Sequence, residues 1–132
     1  MDSTLTVAGT LLANGGITGP LKEGAGISLG TSQNNYVITG MATATVFELG
    51  ASAGGVELTG VAGGTAGKML VFIENGTAND ITLKNASGSS SAGNIFRMAG
   101  GLDCVLGAGV TKAIVFVWNT AANCWREVGR TT

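Results

Sequence analysis

The chain has no histidine, a single proline and two cysteines among 132 residues, and only 11% of them are charged. Each shortage removes a class of function. Without histidine, neither a Ser/His/Asp nor a Cys/His arrangement can be built, and the commonest general base is gone. Zinc sites lose their usual nitrogen ligand. Cys104 and Cys124 also lie too far apart for a C-x-x-C knuckle, so no metal site is expected. The seven basic residues (Lys22, Lys68, Lys84, Arg97, Lys112, Arg126, Arg130) stand singly in a chain of net charge −1. A phosphate-binding face needs them clustered, so nucleic acid is not an expected partner. The longest apolar run, Ala113 to Trp118, is six residues. A membrane span needs roughly 20, and no membrane partner is expected. MDSTLTVAG lacks the basic start and long apolar core of a signal peptide. Without an export signal, the two cysteines read as reduced, half-buried thiols.

What is abundant is glycine, 23 residues, placed at the ends of short runs rich in Val, Ile, Leu and Thr. That is the pattern of short strands and tight turns. Apolar residues do not recur at three-and-four spacing, so no helix is expected. Residues 1–40 carry isolated apolar residues among Gly, Asn, Ser and Thr and read as an extended N-terminal arm. From 41 to 132, eight strands are expected: 43–50, 55–61, 68–74, 80–84, 94–100, 102–107, 111–119 and 124–129. Their spacing suits an all-β domain, an antiparallel β-sandwich or jelly roll. Residues 68–74 and 80–84 read as a hairpin about Asn75-Gly76, helped shut by Asn79-Asp80.

KMLVFIE (68–74) and AIVFVW (113–118) are apolar on both faces. A sandwich strand normally keeps one face wet. Such strands sit in the middle of a core or against another subunit, and an apolar, sparsely charged surface points to interfaces.

Four features invite chemistry and have plainer explanations. Gly67-Lys68 suggests a phosphate loop, but Ala62 and Met69 stand where the loop needs glycine and a hydroxyl, and a strand follows. Gly63, Gly64 and Gly67 are expected to turn the chain with positive φ. Asn75-Gly76-Thr77 and Asn85-Ala86-Ser87 match a glycosylation acceptor that matters only on a secreted eukaryotic chain. Glu48, Glu57, Glu74, Asp80, Asp103 and Glu127 are scattered, and SGSSSAG (87–93) has no nearby base. Trp118, Trp125 and Phe116 read as the core of a closing hairpin in preference to a stacking platform. No catalytic, cofactor-binding or metal-binding residue is nominated, and the chain is not expected to be an enzyme.

LTGVAGGTAGKMLVFIENGTANDITLKNASGSSSAGNIF (58–96) and GLDCVLGAGVTKAIVFVWNTAANCWREVG (101–129) resemble a β module of tailed-phage virion proteins. The resemblance rests on the glycine ladder and the terminal Trp125-Arg126. It implies a structural, non-enzymatic β-sandwich, often assembled as a trimer. Related modules occur in head and tail fibres and in capsid-associated proteins. The absence of a long fibre shaft favours a capsid decoration (cement) protein. Such a protein is made in the host cytoplasm and bound to the major capsid protein on the outside of the shell. A fibre module that binds a host receptor is the alternative, with Tyr36, Trp118 or Trp125 lining a saccharide groove.

Overall fold

The segments VFELGASAGGVEL (46–58) and VFIENGTANDITL (71–83) share Val-Phe at their heads and an aliphatic-x-Leu ending. Each head supplies one strand and each ending another, with a glycine- or asparagine-rich corner between. In the computed structural model, which describes residues 21–76, 78–110 and 112–131, these two segments lie on top of one another. Strands β2 (Val46–Ala51) and β4 (Met69–Glu74) run parallel, with Val46 beside Val71 and Phe47 beside Phe72. Strands β3 (Val56–Leu58) and β5 (Ile81–Leu83) do the same, with Val56 beside Ile81 and Leu58 beside Leu83. From 46 to 71 and from 56 to 81 the step is one and the same, one coil of a short β-solenoid.

A further coil lies at the other side of the stack. Strand β1 (Ile27–Leu29) pairs parallel with β2, and Gln33 and Tyr36 bridge in parallel to Leu58 and Val61. Ile27, Leu29 and Ile38 are buried in the common core. The described half of the expected arm, residues 21–40, is therefore built into the stack. Residues 1–20 lie outside the described residues.

Antiparallel strands finish the other end. Strand β8 (Ala113–Asn119) lies antiparallel to β4, β9 (Cys124–Arg130) antiparallel to β8, and the two-residue β6 (Phe96–Arg97) parallel to β9. Strand β7 (Cys104–Leu106) closes the second sheet against β5. The result is all-β, a six-stranded sheet in the order β1-β2-β4-β8-β9-β6 and a three-stranded sheet β3-β5-β7.

The eight expected strands form where the alternation placed them, but the antiparallel jelly roll does not. Parallel pairing takes its place because successive coils offer matched Val-Phe and aliphatic-x-Leu strands to one another. The hairpin about Asn75-Gly76 is also corrected. Strands β4 and β5 belong to different sheets, and Gly76, at φ +76°, turns a coil corner. Asn79 and Asp80 reach across that corner to other segments. The Asn79 amide donates to the Ala51 carbonyl, and Asp80 Oδ1 accepts from the Ala108 amide.

Between the sheets, Phe47, Phe72, Phe96, Phe116 and Trp125 have no exposed surface. Phe96 and Phe116 stack at 4.7 Å, and Phe72 meets Phe96 edge-on at 6.5 Å. Each fully buried aromatic of this kind contributes about 1.5–3 kcal/mol through burial alone. Gly60 shows how closely the coils approach. A Cβ there would lie 2.4 Å from the carbonyl oxygen of Asn94, which already accepts from the Val61 amide. Backbone cannot retreat as a side-chain tip can. Gly60→Ala is expected to cost about 2–3 kcal/mol, on the scale of core overpacking, read as a lowered midpoint in urea. An unchanged midpoint would mean that the coils are further apart than described.

Candidate functional site

The six-stranded sheet turns alternate residues outward, and on β4 and β8 these are still apolar. Leu70, Phe72, Ile114 and Phe116 fill the core. Met69, Val71 and Ile73 point the other way, beside Val117, Val115 and Ala113. Val46 on β2 adds to this group next to Val71, and Val128 on β9 is 61% exposed. The strands that read as apolar on both faces thus have one face in the core and the other on the surface.

Charge frames this strip unevenly. On the β2 side stand Glu48, opposite Ile73, and Glu23, bridged to Val46. On the β9 side stands Arg126, opposite Val117, with Arg97 beside it on β6. All four are exposed. Among the described residues none of the four takes part in an ion pair. A depression of about 360 Å³ lies next to Arg126, lined also by Val117, Asn119, Glu127 and Val128.

Carboxylates elsewhere are committed to holding the fold. A register shift in β8–β9 brings Glu127 and Arg130 together, and both carboxylate oxygens accept from the guanidinium. Glu127 also accepts from the Ala99 amide, and its side chain is 3% exposed. The Arg130 guanidinium, helped by the Ala99 amide and opposed by burial, holds the Glu127 carboxyl below its ordinary value of 4.5. The pair therefore stabilises the folded chain fully above about pH 4.5, and that contribution is lost as the pH falls through the lowered folded value. Glu127→Ala is expected to cost about 2 kcal/mol at pH 7, because it leaves a half-buried guanidinium without its partner. The difference from the unsubstituted chain should shrink toward pH 3 in parallel urea titrations. A constant difference across that range would assign the loss to packing instead.

Lys84 joins Glu57 at 3.3 Å and Asp103 at 2.6 Å on the outer side of the smaller sheet. The hydrogen bonds that the Lys84 ammonium donates to these acids, that to Asp103 first, raise its pKa. The Lys84 ammonium and the Asn85 amide lower that of Asp103. The ions tie β3 to the residue just after β5 and the residue just before β7.

The features that suggested chemistry fall into place as architecture. Lys68 donates to the Met41 carbonyl, and the Gly67 amide to the Trp118 carbonyl, so neither faces an anion. Gly63 and Gly67 have the expected positive φ, +88° and +75°. Gly64 does not; it is glycine because a Cβ would run into the Trp118 ring. Asn85 uses both ends of its amide, donating to the Gly101 carbonyl and accepting from the Met98 amide. Of the other acceptor motif, Thr77 lies outside the described residues. Cys104 and Cys124 are both buried and form no disulfide. Burial pushes the Cys104 thiol up, against the opposing charge of Arg130. Trp118 and Trp125 face one another across β8–β9 and pin the hairpin to the coils, donating to the carbonyls of Gly93 and Val61. Trp125 is wholly buried and cannot line a groove. Among the described residues no three His, Cys, Asp or Glu side chains gather as a metal site would require.

The serine-rich segment holds a network that reading the chain as loop overlooks. Ser90 and Thr59, both buried, lie 2.7 Å apart, oxygen to oxygen. The Asn35 amide donates to Ser90, and the Asn35 side chain accepts from Ser91 and Asn94. Asn35 sits at φ +50°, a strained position for a residue with a side chain. These bonds tie the corners of three coils together.

No family model, no curated protein and no solved structure matches the chain. Among the described residues no helix is long and apolar enough to cross a membrane.

Proposed function

We propose that this chain is a structural, non-enzymatic component of a bacteriophage virion. It acts as a decoration (cement) protein that assembles as a trimer, binds the major capsid protein on the outside of the shell and stabilises it. The observation that carries this reading is the apolar outer strip of Met69, Val71, Ile73, Val115, Val117 and Val128 on an otherwise well-satisfied fold. Met69 and Val128 are exposed and the other four half-buried, and an apolar patch at the surface framed by charge is the ordinary mark of a protein interface. A buried and a half-buried tryptophan, hydrogen-bonded asparagines and paired carboxylates leave few of the described side chains free for chemistry. The resemblance of residues 58–96 and 101–129 to phage virion modules supplies the setting.

The energetics are compatible. Specific interfaces bury about 1,600 Å² in total, and a trimer that grips several capsid subunits at once gains further through avidity. The work done is added binding free energy against internal pressure, and it requires no cofactor.

A head- or tail-fibre module is the second reading, and parallel coil stacking favours it, since a shaft grows by adding such coils. Copy number in purified virions separates the two. Gel densitometry should find the chain in amounts comparable with the capsomers if it is a decoration protein, and in few copies if it is a fibre. Its absence from virions would end both readings.

A further inference from the structure

The charges around the apolar strip are sorted by edge. Acids, Glu23 and Glu48, stand on the β1–β2 side, and bases, Arg97 and Arg126, on the β9–β6 side. Arg97 and Arg126 are direct neighbours across two strands. Like charges so placed repel unless an anion comes between them. A depression beside Arg126, lined also by Val117, Asn119, Glu127 and Val128, adjoins the pair. A surface that is acidic at one margin, apolar in the middle and basic at the other is complementary to a copy of itself placed head to tail.

We infer that this face binds further copies of the same chain in a closed ring, with the acidic margin of each copy on the basic margin of the next. This rests on the reading of the strip as an assembly surface and names its occupant. A head-to-tail contact must close or run on as a filament, and the dimensions here favour closure. Glu48 and Arg126 are at opposite corners of the strip, three strand spacings apart across the sheet and four residues apart along it, from Met69 to Ile73. At about 4.8 Å per strand and about 3.3 Å per residue the diagonal is roughly 20 Å. Three such faces set as a triangular prism put each sheet about 5–6 Å from the axis. That matches half of the ~10 Å that separates packed sheets. Val71 and Val115 then fill the centre. Four faces would leave an open channel.

The test measures solution mass by light scattering and sedimentation with the full chain. The unsubstituted protein should form a trimer. Glu23→Lys with Glu48→Lys, and separately Arg97→Glu with Arg126→Glu, should each raise the concentration for half-assembly about tenfold or more. The chain carrying all four reversals should assemble again. All four side chains are exposed, so melting temperatures measured below the assembly concentration should stay near that of the unsubstituted chain. A monomer at every concentration, or a trimer indifferent to either reversal, overturns the inference. If such a monomer still binds shells, the decoration reading stands and the face belongs to the capsid partner. If it neither self-associates nor binds shells, both fail.

Discussion

Trp125→Ala is expected to lower the melting temperature by roughly 15 °C, the largest single-residue loss in this fold. The indole has no exposed surface, and its N–H donates at 2.8 Å to the Val61 carbonyl. Removing a buried aromatic costs about 3–5 kcal/mol through lost transfer energy and the cavity left behind. Here a buried backbone acceptor also loses its donor. Folded domains hold only about 5–15 kcal/mol in reserve, and at this chain length about 4 kcal/mol corresponds to such a shift. Trp125→Phe should recover most of the packing and none of the hydrogen bond, falling between the two. A shift of only two or three degrees for the alanine variant would mean that β8–β9 does not lock the coils.

The second large effect concerns assembly. Val71 and Val115 are cross-strand partners at the centre of the outer strip. Val71→Glu combined with Val115→Lys places an opposite-charge pair there. Such a pair is tolerated on an exposed sheet face and is costly to desolvate in an interface. Interface centres are depleted of charge, and a disrupted hot spot costs about 2 kcal/mol or more. Binding to shells and to other copies should weaken by roughly a hundredfold or more, while the melting temperature of the monomer moves little. Val105→Glu, on the outer face of the smaller sheet, is the control and should bind as before. If the double variant binds normally, the strip is merely exposed surface.

Much of the fold is legible in the sequence because strand alternation is a local property. Val46 and Glu48 face away from Phe47 and Leu49, and Ile81 and Leu83 away from Thr82, as their spacing requires. Pairing is not local. Asn75-Gly76 turns the chain in a hairpin and at a coil corner alike, and only the partner of β4 decides between them. The signal that would have decided was the internal repeat of VFELGASAGGVEL in VFIENGTANDITL. In the first coil that repeat fades. The chain takes three residues fewer to pass from β1 to Gln33 than from β2 to Leu58, so Ile27 and Leu29 look isolated in sequence and are core in space. The site was half legible. Two-faced apolar strands announce an outer strip, but the sorting of Glu23 and Glu48 from Arg97 and Arg126 exists only once β6 lies beside β9.

The most direct measurement mixes the pure protein with empty phage shells that lack it and follows co-sedimentation and shell melting. Saturable, stoichiometric binding and a higher melting temperature for the shell are expected. A protein that stays in the supernatant at every concentration, with shell melting unchanged, would contradict the decoration reading.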